Sequence, residues 1–383
     1  MKNAVRWGIW GTGTIAHMVA NDFPLVDGAL LHAVASRTVE RAKEFALEHG
    51  AAKWYEGLNS LLQDPEVDVV YVATPNHCHL EDCLACIRAG KAVLCEKPLA
   101  LNLAQAEVIA DAARRHKVFC MEAMWTRFIP SVIEAKRRID AGEIGLPRLI
   151  QGNFAYPAQR ESESRLFDIK QGGGALLDRG VYLISLAQYL MGVPELVRGT
   201  MVLGPTGVDE QSSCQLVFAG GALADLATSL LVQGRNDFLI SGEHGWLRLC
   251  KPFYCAHRLE VRSYGSQQTM QRESTQSPGG VRRIVQRVRQ SHTVKLLRRR
   301  FGLLLEVLDR PRSRSFPFAG NGYQFELMEV NRCIRDGRTE SSTMSLNDSL
   351  EVLKTMDALR SQWGLLYPQE GLEFQVKADR VSA

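Results

Sequence analysis

Three short stretches combine residue types that can hold phosphate or move a proton. Gly11-Thr12-Gly13-Thr14-Ile15-Ala16 follows a strand-like run, Val5 to Trp10, and opens a helix-like one. Gly11 permits a tight turn there, Gly13 lets backbone approach a pyrophosphate, and Ala16 is small enough for close helix packing. The helix start then offers N–H groups and a positive dipole end to phosphates. Further on, Leu94-Cys95-Glu96-Lys97-Pro98 ends an apolar run with a lysine before a proline, either a plain surface turn or a catalytic lysine. Gly172-Gly173-Gly174-Ala175-Leu176-Leu177-Asp178-Arg179-Gly180-Val181-Tyr182 places Asp178 and Tyr182 four apart. If that stretch is helical from about Ala175, the two side chains lie one turn apart on one face. Residue by residue, the alternatives are a helix-start aspartate with a core tyrosine, or a functional pair.

The elements that must position these residues are legible in the pattern of apolar positions. Strands are expected at 5–10, 30–36, 67–73 and 91–95 and at Val118-Phe119-Cys120-Met121-Glu122, with amphipathic helices between them. Gly50 and Gly90 stand where helices should stop. Such alternation predicts an α/β body over residues 1–125, a doubly wound parallel sheet of Rossmann type. At the end of the second strand, NAD enzymes usually place an acidic residue on the ribose. This chain has Ala35-Ser36-Arg37 there, with Arg41 four residues on. An arginine can grip a ribose 2′-phosphate that a carboxylate would repel, so the expected cofactor is NADP(H) rather than NAD(H).

After Pro130 the texture becomes β-rich, and Gly220-Gly221 between two apolar runs signals a hairpin. Residues 126–383 are expected to form an α+β unit with a mostly antiparallel, open sheet. Ser345 is a plausible N-cap for a helix with Leu346, Leu350, Leu353, Met356 and Leu359 on one face.

The glycine loop, the Glu96-Lys97-Pro98 turn and the Asp178/Tyr182 stretch, in this order and at these distances, resemble the Gfo/Idh/MocA oxidoreductase family. The likeness is closest to its branch of dihydrodiol and NADP-dependent xylose dehydrogenases. Thr74-Pro75-Asn76-His77-Cys78-His79 and Glu122-Ala123-Met124-Trp125-Thr126-Arg127-Phe128 are further marks of that branch. The resemblance implies a catalytic Lys97, often after which a cis bond precedes Pro98, with Asp178 and Tyr182 facing it across the cleft. It implies that Thr12, Thr14, Ile15, Ser36, Thr74, Pro75, Asn76, His79 and Glu96 contact the cofactor along with Gly11, Gly13, Arg37, Arg41 and Lys97. Trp125, Arg127 and Phe154 would shape the substrate pocket, and Arg179, where relatives usually carry a small apolar residue, would either contact an acidic substrate or point to solvent. The implied reaction is hydride transfer to or from a sugar or vicinal diol, in a homodimer joined through the open sheet.

That chemistry asks for these residue types. An alcohol loses its hydroxyl proton as the C–H bond breaks, so a base is needed. A phenol with its ordinary pKa of about 10 is a weak one, and a nearby ammonium is expected to lower it. Lys97 would supply the charge, Asp178 would orient the pair, and the sequence leaves open whether Lys97 or Tyr182 holds the proton.

Composition narrows the alternatives. The net charge of +4 is concentrated, because eleven Lys and Arg residues between 282 and 314 face only Glu306 and Asp309. The rest is slightly acidic, so no nucleic-acid partner is expected. Residues 266–318 look like an insertion whose basic amphipathic stretch, 281–310, suits its own domain, an anionic membrane surface or an acidic partner. If the insertion carries the function, the protein would be a non-catalytic cofactor binder, and a redox-assisted isomerase or eliminase is a further alternative on the same fold. Its flanks, including Arg310-Pro311-Arg312-Ser313-Arg314-Ser315, read as flexible linkers. Nine scattered cysteines and no signal-type start indicate a cytoplasmic protein. Cys78, Cys83 and Cys86 mimic an iron–sulfur spacing but lack a fourth partner, and no metal site is expected.

Overall fold

The computed structural model describes residues 4–159, 165–264 and 311–370. Six parallel strands form the first sheet: β1 (Val5–Trp10), β2 (Ala29–Ser36), β3 (Lys53–Glu56), β4 (Val69–Val72), β5 (Ala92–Glu96) and β6 (Cys120–Ala123). Their order is β3-β2-β1-β4-β5-β6. Helices α1 (Thr14–Asp22), α2 (Val39–His49), α3 (Leu58–Leu62), α4 (His79–Arg88) and α5 (Leu103–His116) alternate with them. Every residue of β4 and β5 is buried, as helices on both faces require. The strand order reverses between β1 and β4, the switch point where a crevice opens at the carboxyl ends of the strands. The short β3 and α3 escaped the sequence reading, because four and five residues carry too little periodicity.

The second sheet has eight strands: β7 (Pro147–Ala155), β8 (Pro194–Leu203), β9 (Asp209–Phe218), β10 (Leu223–Ser229), β11 (Phe238–Gly242), β12 (Gly245–Leu249), β13 (Arg258–Ser263) and β14 (Arg312–Ser315). They run in the order β14-β13-β12-β11-β7-β10-β9-β8 and pair antiparallel except for β7 with β10. Gly220 and Gly221, both at positive φ, turn β9 into β10 in a three-residue loop. Helices α6 (Pro130–Asp140) and α7 (Val181–Met191) cover one face, joined after α8 (Gln324–Arg335) by α9 (Leu346–Trp363). Ser345 caps α9 in a reciprocal box with Asp348, and Leu346, Leu353, Met356 and Leu359 are buried beneath it.

One expected linker is a strand. Residues 312–315 pair with β13 at the sheet edge, although all four side chains are exposed. Backbone pairing decides the matter there, and a charged Arg/Ser edge discourages further pairing. The 281–310 stretch lies outside the described residues. Among those described, no helix is long and apolar enough to cross a membrane.

Candidate functional site

The crevice at the switch point is a cleft of about 870 Å³, lined by the glycine loop, Ser36, Arg37, Arg41, Ala73 to Cys78, Glu96 and Lys97, with Arg165 and Gln171 from the segment that follows β7. Gly11 has φ +104°, and a Cβ there would stand 2.8 Å from the Ala73 carbonyl oxygen. A Cβ on Gly13 would meet nothing within 4 Å, so backbone faces open space. Gly13 is also the N-cap of α1, which has no side-chain cap and no acidic residue in its first turn. These N–H groups are therefore free to meet an anion, and the loop fits a dinucleotide pyrophosphate. Thr12 and Ser36 hydroxyls lie 3.3 Å apart beside it. Among the described residues, Arg37 and Arg41 have no carboxylate partner at the cleft's far end.

Pro75 and Asn76 form the opposite wall, where Asn76 also donates to the Gly172 carbonyl at 3.2 Å and so ties that wall to the segment before α7. Thr74 turns its hydroxyl to Asp82 at 2.7 Å. His79 differs from expectation. It is fully buried behind that wall, with Nε2 2.9 Å from the Thr74 carbonyl oxygen and Nδ1 2.9 Å from that of Pro98. A neutral ring donates to one of them, and burial pushes its pKa down to about 4 despite both contacts. It braces the wall, while His77, two residues before it in the same motif, lines it.

The Lys97–Pro98 bond is cis, at the end of β5. Glu96 accepts from the Tyr71 hydroxyl and from the Lys97 N–H, the latter at 3.1 Å, and fixes this turn. Lys97 reaches across to the turn before α7, where Nζ donates to the Asp178 carbonyl at 2.9 Å and to its Oδ1 at 3.3 Å. It also stands 4.7 Å over the Tyr182 ring. Asp178 lies in a π-helical turn, Leu176–Gly180, that runs directly into α7 and Tyr182. That turn is capped from β9, because Asp209 Oδ2 accepts the Leu176 N–H at 2.8 Å. Gly174, at φ +120°, makes room for the cap, since a Cβ there would fall 2.2 Å from Asp209 Oδ1.

Electrostatics divide the three groups. Burial pushes the Asp178 carboxyl up, but Lys97, Arg165 and Arg179 outweigh it and hold the pKa at about 2. Tyr182 behaves oppositely to the expectation of a lowered pKa. Burial raises it well above 10, and the nearby Tyr323 and Glu96 add to this. The geometric reason is that Lys97 faces the ring, whereas the hydroxyl accepts from Trp125 Nε1 at 3.0 Å.

Trp125 and Phe154 are 4% and 5% exposed and pack with Tyr182 into an aromatic box. Tyr254, stacked on Phe154 at 4.6 Å, and Tyr323, 4.5 Å from Trp125, complete it. Tyr323 belongs to the Gly322-Tyr323 stretch that marks the resemblance in sequence, whereas no spacing announces Tyr254, nor Arg165, which donates to Asp178 Oδ1 at 3.3 Å. Arg127 does not face the cleft. Its guanidinium is consumed beneath α7 by Ser185, the Thr343 carbonyl and Asp348. Arg179 neither reaches solvent nor the cleft lining: it is fully buried, stacked 3.6 Å over Tyr156, with Nη1 donating to the Tyr156 and Ser229 carbonyls.

Comparison with known proteins agrees with this geometry. Residues 5–124 match the model of an oxidoreductase family with an NAD-binding Rossmann fold, and residues 132–248 match the GFO/IDH/MocA C-terminal domain. The trans-1,2-dihydrobenzene-1,2-diol dehydrogenase of Danio rerio is 33% identical over 372 residues, covering 96% of this chain and 99% of its own. That of Homo sapiens is 29% identical over 375 residues, with 96% and 99% covered. Two solved structures share the fold. A levoglucosan dehydrogenase in complex with NADH and levoglucosan gives a TM-score of 0.75 at 23% identity, covering 94% of this chain and 96% of its own. A 3-ketoreductase from Actinomadura kijaniata with NADP and TDP-benzene gives 0.74 at 24%, covering 94% and 98%. The chain belongs to the GFO/IDH/MocA family of oxidoreductases, and its cleft is that of an NAD(P)-binding Rossmann domain.

Proposed function

We propose that this oxidoreductase interconverts a hydroxyl and a carbonyl group on a sugar or vicinal diol, with NADP(H) as cofactor and Lys97, Asp178 and Tyr182 as its working groups. The observation that carries this reading is the meeting of Lys97, from the dinucleotide side, with the carboxylate of Asp178 and the ring of Tyr182 from the other. When bound, the dinucleotide supplies or accepts the hydride. The chain's own residues handle the proton and the orientation. Tyr182 keeps its proton, held by burial, and offers a hydroxyl that positions the substrate oxygen. Lys97, as the neutral amine, takes the hydroxyl proton in oxidation to become the ammonium, and as the ammonium gives that proton to the carbonyl oxygen in reduction. Asp178 stays a carboxylate throughout and holds the lysine in place. The aromatic box suits the apolar face of a sugar or an aromatic diol. Arg37 and Arg41, free of carboxylates among the described residues, support the NADP(H) preference by offering donors for a 2′-phosphate.

Substrate and cofactor are testable together. Nicotinamide absorbance is followed with NADP⁺ or NAD⁺ and a panel of aldoses, inositols and vicinal diols, with Lys97→Met as control. Turnover with NADP⁺ that falls by about 10²–10⁴ in the variant, with cofactor binding kept, is expected. Undiminished turnover in Lys97→Met would remove the lysine from the mechanism. The outer face of the second sheet carries exposed Leu196, Val202 and Leu223, which supports a homodimer joined there, and sedimentation equilibrium measures it directly.

A further inference from the structure

Away from the cleft, α1 and α2 bring three metal-ligating side chains to one point. His17 lies one turn into α1, its N–H donating to the Gly13 carbonyl at 3.2 Å, and Glu48 and His49 occupy the last turn of α2. His17 Nδ1 stands 2.8 Å from His49 Nε2 and 3.4 Å from Glu48 Oε1, while His49 Nε2 stands 3.5 Å from the same oxygen. We propose that His17, Glu48 and His49 form a binding site for a divalent transition-metal ion of the zinc class.

The distances carry the argument. Ligands about 2.0–2.1 Å from a tetrahedral ion stand roughly 3.3–3.4 Å from one another. Two of the three edges already match, and the third opens by about half an ångström with a small rotation of either ring. Two imidazole nitrogens that converge with a carboxylate present more lone pairs than one ring proton can satisfy, whereas a cation satisfies all three. Phe45, itself buried, braces both rings at 4.4 Å. Among the described residues, Glu48 pairs with no lysine or arginine, so the positive charge at this point is unassigned. His32, Asp64 and Glu66 converge similarly but fail this test, since Lys53 already lies 3.2 Å from Asp64 and 2.6 Å from Glu66.

Two nitrogens and one carboxylate oxygen suit zinc, nickel or copper better than magnesium or calcium, which prefer all-oxygen shells. The side chains of His17 and Glu48 are 37% and 59% exposed, which leaves a fourth position open to water. An ion there would pin the end of α2 to the first turns of α1, the same end of the helix whose free N–H groups face the cofactor loop. No sequence motif announces the site, because 31 residues separate His17 from Glu48 and only the packing of α1 on α2 joins them.

The test uses the full chain without an affinity tag, treated with chelator, dialysed and titrated calorimetrically with Zn²⁺, with bound metal measured per chain. One equivalent is expected, weakened on the order of 100-fold or more in His49→Ala and also lost in Glu48→Gln, an exposed change that leaves the helix intact. Cobalt(II) in place of zinc is expected to show d–d bands without thiolate charge transfer, which separates this site from the nine free cysteines. No zinc uptake, uptake unchanged in both variants, or a thiolate band would each overturn the proposal.

Discussion

Lys97 meets Asp178 through charge and Tyr182 through the face of a ring, and the difference decides which group can ionise. A lysine beside a phenol hydroxyl would have lowered its pKa, but with the lysine over the ring, burial outweighs the one opposing hydrogen bond, from Trp125, at the oxygen. Tyr182 is therefore a donor at any ordinary pH. Replacing it with Phe is expected to lower kcat by about 10²-fold while leaving the shape of the pH profile between 5 and 9 unchanged. A pH–rate profile that loses a limb in Tyr182→Phe would show that the phenolate is the base after all. Because the Asp178 carboxyl is held at about 2, no acidic limb from it should appear above pH 4. The sequence showed these three residues clearly, but their relative orientation, and the burial of Arg127 and Arg179, depended on neighbours far away in the chain.

At the scale of elements, the end of β2 and the start of α2 bring Arg37 and Arg41 into the cleft lining. Loss of charge-assisted bonds costs roughly 1.5–3 kcal/mol, so Arg37→Ala is expected to weaken NADP⁺ by roughly 10–100-fold and NAD⁺ little, read as the ratio of kcat/KM for the two cofactors. Equal losses with both would place Arg37 elsewhere in the binding mode. A second element-level device is the cap from β9 onto the π-turn. Burial raises the Asp209 carboxyl to about 7, against interactions with the Leu176 N–H and others that lower it. A folded pKa above the unfolded one means the native state binds more protons between pH 4 and 7, so stability falls as pH rises through that window. The contribution is up to about 4 kcal/mol. Asp209→Asn keeps an acceptor for Leu176 and is expected to flatten the pH dependence of the urea midpoint from 5 to 8. The same slope in wild type and variant would assign it to other groups.

For the whole molecule, the chain returns after the second sheet to close on the first. Asp22, at the end of α1, accepts the N–H groups of Asn321, Gly322, Tyr323 and Gln324 and so caps α8. Trp7 on β1 donates its indole N–H to Asn331 on α8 at 3.0 Å. Asp22→Ala would strand these donors, and a loss of about 3 kcal/mol or more in unfolding free energy is expected, partly restored by Asn. An unchanged denaturation midpoint would mean that α8 is held by its apolar face alone. This return also predicts that residues 1–125 expressed alone bind dinucleotide poorly, because α8, with Leu327 and Val330 buried in the core, packs beside β2.

Local patterns determined much of this protein: strand and helix periods, the glycine turn, the Ser345 cap and the hairpin at Gly220 all depend on neighbours within about four residues, so the sequence states them directly. The same holds for the candidate site's residue types, since Lys97, Asp178 and Tyr182 sit in short motifs. Only tertiary structure decided what those residues do to one another. The Tyr182 pKa depends on burial, the role of His79 on two carbonyls it happens to bridge, and the edge strand at 312–315 on a partner some fifty residues away. Burial and pairing over such separations are sums over the packed molecule, and no local pattern encodes them.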